Sequence, residues 1–209
     1  LENIKKDGNY YSAWKALNQS DGIDLIKKGE LIAPKDLQVD LEAYCPHSCE
    51  FCSYRNVNWQ DHGMDFEEPE KRVPEQTGLP KEIAMRLPRE MFEAGIPSIE
   101  LTGGGEPMVY PYIKELLDEL GKYPIELAIV TNGASLNEQI QSRLKNLKWI
   151  RFSMDAITAR THSKVHRVPE SVFGVAVKHL KELIARQFDD CRVGVSFVIT
   201  KNNHEEIED

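Results

Sequence analysis

From residue 81 to the end of this 209-residue chain, helix-like and strand-like segments alternate. Ile83, Leu87 and Met91 recur at four-residue intervals and predict a helix over 81–94. Strands are expected at SIELTGG (98–104), IELAIVTNG (125–133), WIRFSMD (149–155) and CRVGVSFVIT (191–200). Helices are expected between them at YIKELLDELGK (112–122), LNEQIQSRLKNL (136–147) and SVFGVAVKHLKELIARQ (171–187), with another starting at the end of the chain. Upstream, Leu37, Val39 and Leu41 alternate with polar residues as a first strand does. Strands separated by helices imply βαβ units, a parallel sheet and right-handed crossovers, hence an α/β fold. In such sheets ligands gather at the carboxyl ends of the strands.

The loop after the first strand holds Cys45, Cys49 and Cys52 in the run YCPHSCEFCSY. Three soft thiolates spaced C-x3-C-x2-C suit an iron–sulfur cluster better than a disulfide, and zinc is the other candidate. A cubane of four irons held by three thiolates keeps one iron open to a small molecule. Zinc would need a fourth ligand, His47 or Cys191. Cys191 begins a strand, which puts it at the opposite edge, where a small buried hydrophobe is expected. His47 is expected to be exposed or to pack within its own loop. With four cysteines in all, three of them clustered, a disulfide-stapled secreted scaffold is not indicated, and a reducing cytoplasm is the expected compartment.

At the end of the second strand stands Gly103-Gly104-Gly105-Glu106-Pro107. Glycines let a ligand lie directly against backbone, and Pro107 fixes the chain direction. Glu106 and backbone carbonyls would suit an ammonium group. A phosphate cradle is disfavoured, because the Lys-Ser/Thr pair of a P-loop is absent and Glu106 would repel phosphate.

Together CPHSCEFC and GGGEP resemble the signature motifs of the radical S-adenosylmethionine (SAM) superfamily, including an aromatic residue, Phe51, just before the third cysteine. The resemblance covers residues 37–209 and implies a partial (β/α)6 TIM-like barrel, with a sixth strand and further C-terminal region beyond Asp209. It implies that Cys45, Cys49 and Cys52 hold three irons of a 4Fe–4S cluster, and that the amino and carboxylate groups of SAM chelate the fourth. By the same resemblance Gly103, Gly104, Gly105 and Glu106 meet the methionyl ammonium, and Phe51 lies near the adenine. Thr131, Asn132 and Ser153 fall at strand-end positions near the cofactor, and Arg167 aligns with a residue that pairs with the SAM carboxylate. Asp155 points toward substrate or caps its loop, and Val198 packs near the adenine or fills the barrel. The implied chemistry is reductive cleavage of SAM to a 5′-deoxyadenosyl radical that abstracts hydrogen from a peptide or small-molecule substrate. The implied electron source is a reductant such as flavodoxin or ferredoxin.

Residues 1–36 read as a helical N-terminal extension: Tyr11, Trp14 and Leu17 recur at helical spacing, Asp21-Gly22 breaks the run, and Ile23, Leu25 and Ile26 begin another. Leu1 in place of Met, and an end at NNHEEIED, suggest a piece of a longer protein. Residues 56–80 form a polar loop without periodicity, in which Trp59, His62 and Phe66 are candidates for substrate or partner contact. The net charge of −8 argues against nucleic acid as the main partner. No run approaches the roughly 18 apolar residues of a membrane span, and no signal peptide opens the chain. Two rival readings stand beside the enzyme: a non-enzymatic zinc module using His47, and a scaffold that keeps the fold without the chemistry.

Overall fold

The computed structural model describes residues 20–55, 77–186, 188 and 191–207. The chain divides into two compact units, up to Pro34 and from Lys35 onward. The described part of the first contains helix α1 (Ser20–Lys27). Asp21-Gly22, expected to break the helix, lies in its first turn, where free N–H groups make weak helix formers inexpensive. Tyr11, Trp14 and Leu17 lie outside the described residues.

The second unit is built on five parallel strands whose spatial order follows their order in the chain. These are β1 (Leu37–Asp40), β2 (Ser98–Thr102), β3 (Glu126–Thr131), β4 (Leu147–Ser153) and β5 (Arg192–Ser196). Leu101 pairs with Val39 on one side and with Ile129 on the other; Phe152 pairs with Thr131 and with Val195. Helix α2 (Lys81–Ala94) joins β1 to β2, and α3 (Ile113–Leu120) joins β2 to β3. The short α4 (Glu138–Gln141) precedes β4, while α5 (Ala159–His166) and α6 (Ser171–Ala185) precede β5.

Alternation along the strands decides which face is covered. Ile99 and Leu101 of β2, Leu127 and Ile129 of β3, and Ile150 and Phe152 of β4 are buried. They share one core with Met91 of α2, Leu116 and Leu117 of α3, and Ala176 and Leu183 of α6. The other face of β2 carries Ser98, Glu100 and Thr102, all half-buried.

Three elements differ from expectation. Helix α4 spans four residues rather than 136–147, because the chain must turn into β4: Asn146 takes φ 54° and its carbonyl accepts from Leu127 N. Strand β5 ends at Ser196 rather than 200, since Val198 N donates to the Asp155 carboxylate at 2.6 Å instead of to a strand. Helix α5 was not foreseen; it starts where the Thr158 hydroxyl accepts from Thr161 N and ends at Arg167, φ 53°.

Phe152 has no exposed surface and sits at the centre of this sheet face. Phe152→Ala should lower the unfolding free energy by about 3–5 kcal/mol, read from urea denaturation.

Candidate metal and cofactor site

The cysteine loop is fastened on both sides. Toward β2, Glu106 N donates to Tyr44 O at 2.9 Å. Toward α5, Ser48 N and Glu50 N donate to the carbonyls of His166 and Val165 at 3.0 and 2.9 Å, which satisfies helix-end acceptors that have no partner within the helix. Asn202 Nδ2 donates to Glu50 Oε2 at 2.5 Å, tying the segment after β5 to the same loop. Just upstream of the cysteines, Ala43 N and Leu79 N bond to Thr77 O and Leu41 O, so the last residues of the long 56–80 segment flank the entrance of the loop. Trp59, His62 and Phe66 lie outside the described residues.

The glycines answer first to this crossing of chains. A Cβ on Gly105 would stand 2.2 Å from Tyr44 O and 2.4 Å from Glu42 O, so backbone can pass over backbone only with glycine here. Gly103, at φ +129°, faces the side chain of Asp40 on β1, and Gly104 faces the Tyr54 ring at ordinary contact distance. The side of each glycine that lacks a Cβ therefore faces protein, and what these residues can offer a ligand is their peptide groups.

Glu106 is buried, and both its oxygens are in use. Oε1 accepts from Thr131 Oγ1 at 2.6 Å and Met108 N at 3.1 Å; Oε2 accepts from Asn132 N at 2.8 Å. Burial pushes its pKa upward, while these donors pull the other way. Asn132 Nδ2 in turn reaches Cys45 Sγ at 3.8 Å. One carboxylate thus joins the ends of β2 and β3, and the β3 end touches the first cysteine.

All four cysteines are free thiols, and Cys45, Cys49 and Cys52 are half-buried. Burial first, then the negative charge available to Cys45, Cys52 and Asp155, pushes the Cys49 thiol up to about 12. The three sulfurs therefore feel one another across a shared space. They are not gathered as a single-ion site: among the described residues the ligand set lying within 4.8 Å is His47, Cys49 and His166, without Cys45 or Cys52. That spacing fits a cluster, whose thiolates sit on separate irons, better than a tetrahedral zinc held by three cysteines and His47.

His47 is buried, against the expectation of an exposed or locally packed residue, because α5 brings histidines against it. Its ring meets His166 at 85° and His162 at 87° edge to face, and His162 stacks on His166 at 4.2 Å. His166 Nδ1 lies 3.2 Å from both Cys49 Sγ and His47 Nδ1. Its Nε2 lies 3.2 Å from Met154 O and 3.2 Å from Asp155 Oδ2. The second contact is electrostatic, its angle being outside hydrogen-bond range. Asp155 is buried at φ 51°, held by Val198 N and by Asn203 Nδ2 on its carbonyl.

The chain matches the family described as the Radical SAM superfamily over residues 43–209. It belongs to the radical SAM superfamily. Among curated relatives, an S-adenosylmethionine-dependent nucleotide dehydratase of Flammeovirga pacifica is 26% identical over 168 residues, covering 79% of this chain and 54% of that protein. Mycofactocin maturase MftC of Mycobacterium ulcerans is 31% identical over 109 residues, 51% of this chain and 28% of the relative. Among solved structures, Streptococcus suis SuiB bound to S-adenosylmethionine superposes with TM-score 0.63 at 21% identity, covering 96% of this chain and 44% of that one. The chain thus spans about half or less of the length of the proteins it matches. The five-stranded sheet is a partial radical SAM barrel, and the cofactors of the superfamily are a 4Fe–4S cluster and SAM.

The other expected positions fall as follows. Phe51 sits beside His166, rings 6.2 Å apart and nearly perpendicular. Ser153 closes β4, half-buried and paired with Ser196. Arg167 ends α5 with its side chain exposed. Val198 is 43% exposed and does not fill a core. Cys191 packs, half-buried, against the core at the amino end of β5. Sequence reasoning missed His162 and His166; their four-residue spacing, which places both on one face of a helix, was the available signal.

Glu106→Ala should lower stability by about 3 kcal/mol, since it strands buried donors on Met108, Thr131 and Asn132, whereas the exposed Glu93→Ala should cost about 1 kcal/mol or less. Chemical denaturation of both variants checks the ordering.

Neither ring nitrogen of His162 has a hydrogen-bond partner, and burial, then His166, pushes its pKa down to about 4. The unfolded chain therefore takes up a proton near pH 6.5 that the folded one refuses, and stability falls as pH drops from 6.5 toward 4. In His162→Phe that part of the slope should vanish in denaturation curves taken across this range.

Proposed function

We propose that this chain is the core of a radical SAM enzyme in which Cys45, Cys49 and Cys52 hold the 4Fe–4S cluster. The observation that carries the reading is the set of three free thiols, spread over one loop at the carboxyl edge of a parallel sheet and braced from both sides by Asn132 and His166. When bound, the cluster and SAM supply an electron and a 5′-deoxyadenosyl radical for hydrogen abstraction. The protein's part is to bind, orient and shield. The backbone of Gly103, Gly104 and Gly105 meets the methionyl ammonium, with Glu106 holding that backbone, since its carboxylate is already occupied by donors. Phe51 serves the adenine, Thr131, Asn132 and Ser153 line the strand ends, and Arg167 serves the SAM carboxylate.

The substrate is a peptide or a small molecule. Relatives support both classes: one is named a nucleotide dehydratase, another a GTP 3′,8-cyclase, and SuiB was solved bound to its precursor peptide. The net charge of −8 disfavours nucleic acid, and no helix among the described residues is long and apolar enough to cross a membrane. A cytoplasmic enzyme served by a reductant such as flavodoxin or ferredoxin agrees with free cysteines and an oxygen-sensitive cluster. The domain reading is a short N-terminal extension, residues 1–36, ahead of a cofactor-bearing core, residues 37–209.

The test is anaerobic reconstitution with iron and sulfide, followed by dithionite and SAM, with 5′-deoxyadenosine read by mass spectrometry. Iron near four per chain and deoxyadenosine formation are expected, both lost in Cys49→Ala. A colourless protein holding one zinc would overturn the reading.

A further inference from the structure

We infer that Arg151 is a specificity residue: its guanidinium binds an anionic oxygen group of the substrate, a phosphate or a carboxylate, on the open face of the sheet. The inference rests on the enzyme reading proposed above and gives its substrate a chemical class. From Trp149 to Ser153 the side chains of β4 alternate, and Ile150 and Phe152 are buried in the core. Trp149, Arg151 and Ser153 therefore share the opposite face, each half-buried. Ser153, at the carboxyl end of the strand, is a proposed cofactor position; Arg151 stands two residues, about 6.6 Å, further into the sheet. That depth places it beside the proposed cofactor positions rather than among them.

Two observations point to a ligand there. Arg151 Nε is sealed from solvent yet has no acceptor among the described residues, and the guanidinium lies 6.0 Å from the centre of the Trp149 ring. A buried donor without an acceptor is costly, and an arginine fork is completed by two oxygens carried on one centre. Beside it there is room. Its register partner on the edge strand β5 is Gly194, and a Cβ on Gly194 would meet nothing within 4 Å. On the other side it is paired with Val130, whose side chain offers no polar atom. An aromatic ring, an apolar neighbour and an open flank leave the hydrogens of the fork to a ligand. On β1 and β2 the same face carries Asp40 and Glu100, the latter accepting from Gln38 Nε2 at 3.1 Å. An anion is repelled there and drawn to β4, so Arg151 also decides which way round a substrate lies.

The experiment is isothermal titration calorimetry of the full chain with two probes, pyrophosphate and glutarate, before and after reconstitution with iron, sulfide and SAM. The wild type should bind one of them, and which one separates a phosphate from a carboxylate source. Arg151→Met keeps the stem and loses the fork, and should weaken that binding about tenfold or more; Arg151→Lys keeps the charge and should fall between. Gly194→Ile, a strand-favouring side chain that fills the open flank, should weaken it with Arg151 intact. Arg89→Met, an exposed arginine of α2, should change nothing. Wild type that binds neither probe, or Arg151→Met that binds as well as wild type, overturns the inference. So does displacement of the probe by SAM, which would make Arg151 a partner of the cofactor. Deoxyadenosine formed in any of these cases leaves the cluster reading intact, whereas a chain that binds the probe through Arg151 and assembles no cluster overturns that reading alone. Should Arg151→Met fail to fold, Gly194→Ile decides: weakened binding supports the site, and unchanged binding overturns it.

Discussion

The buried carboxylate of Glu106 is the interaction on which the site depends. Its own backbone N–H is bonded to Tyr44 O in the cysteine loop, and its side chain takes donors from the end of β3 and from Met108. Three consecutive strand ends are therefore fixed through one residue. A buried acid of this kind is costly unless its acceptor positions are filled, and here they are filled by Met108 N, Thr131 Oγ1 and Asn132 N. Gly105 is the necessary companion, because any larger residue would push the two backbones apart. The motif GGGEP thus earns part of its meaning from packing, before any ligand is considered.

The cysteine loop spans two supports. Cys45 leans on the β2–β3 side through Asn132, while Cys49 leans on the α5 side through His166, and Ser48 and Glu50 hang from the last carbonyls of that helix. Asp155, at a left-handed backbone position, connects His166 to the start of the segment after β5. A change at the far edge of the sheet therefore has a physical route to the cysteines: Val198 to Asp155, to the His166 ring, to sulfur. The route is short because each step is a single contact.

The sheet was legible from sequence because burial on one face imposes a two-residue alternation, as in Ile99 and Leu101, and the four complete strand–helix intervals left little freedom in order. The cysteine spacing and GGGEP were legible because chemistry and close backbone approach demand particular residues at those places. What escaped depended on contacts between distant segments. Nothing local told that His47 would meet residues more than a hundred positions away, or that Val198 N would leave the strand pattern for Asp155. Helix α5 escaped because its apolar content is low; its buried face is made of His162, Val165 and His166. Glu106 was read from its charge as a partner for an ammonium group; that it is also an internal brace rests on donors from Met108, Thr131 and Asn132, which nothing local announced.

Charge sets the terms on which one loop can gather three thiolates. Three thiolates beside Asp155, with Glu106 close behind the β3 end, would put several negative charges in a space with little water. At Cys49, burial first and then the neighbouring sulfurs push the thiol up to about 12. A metal bound there would displace the Cys49 proton and compensate the thiolates it creates, so binding and proton release would be one event.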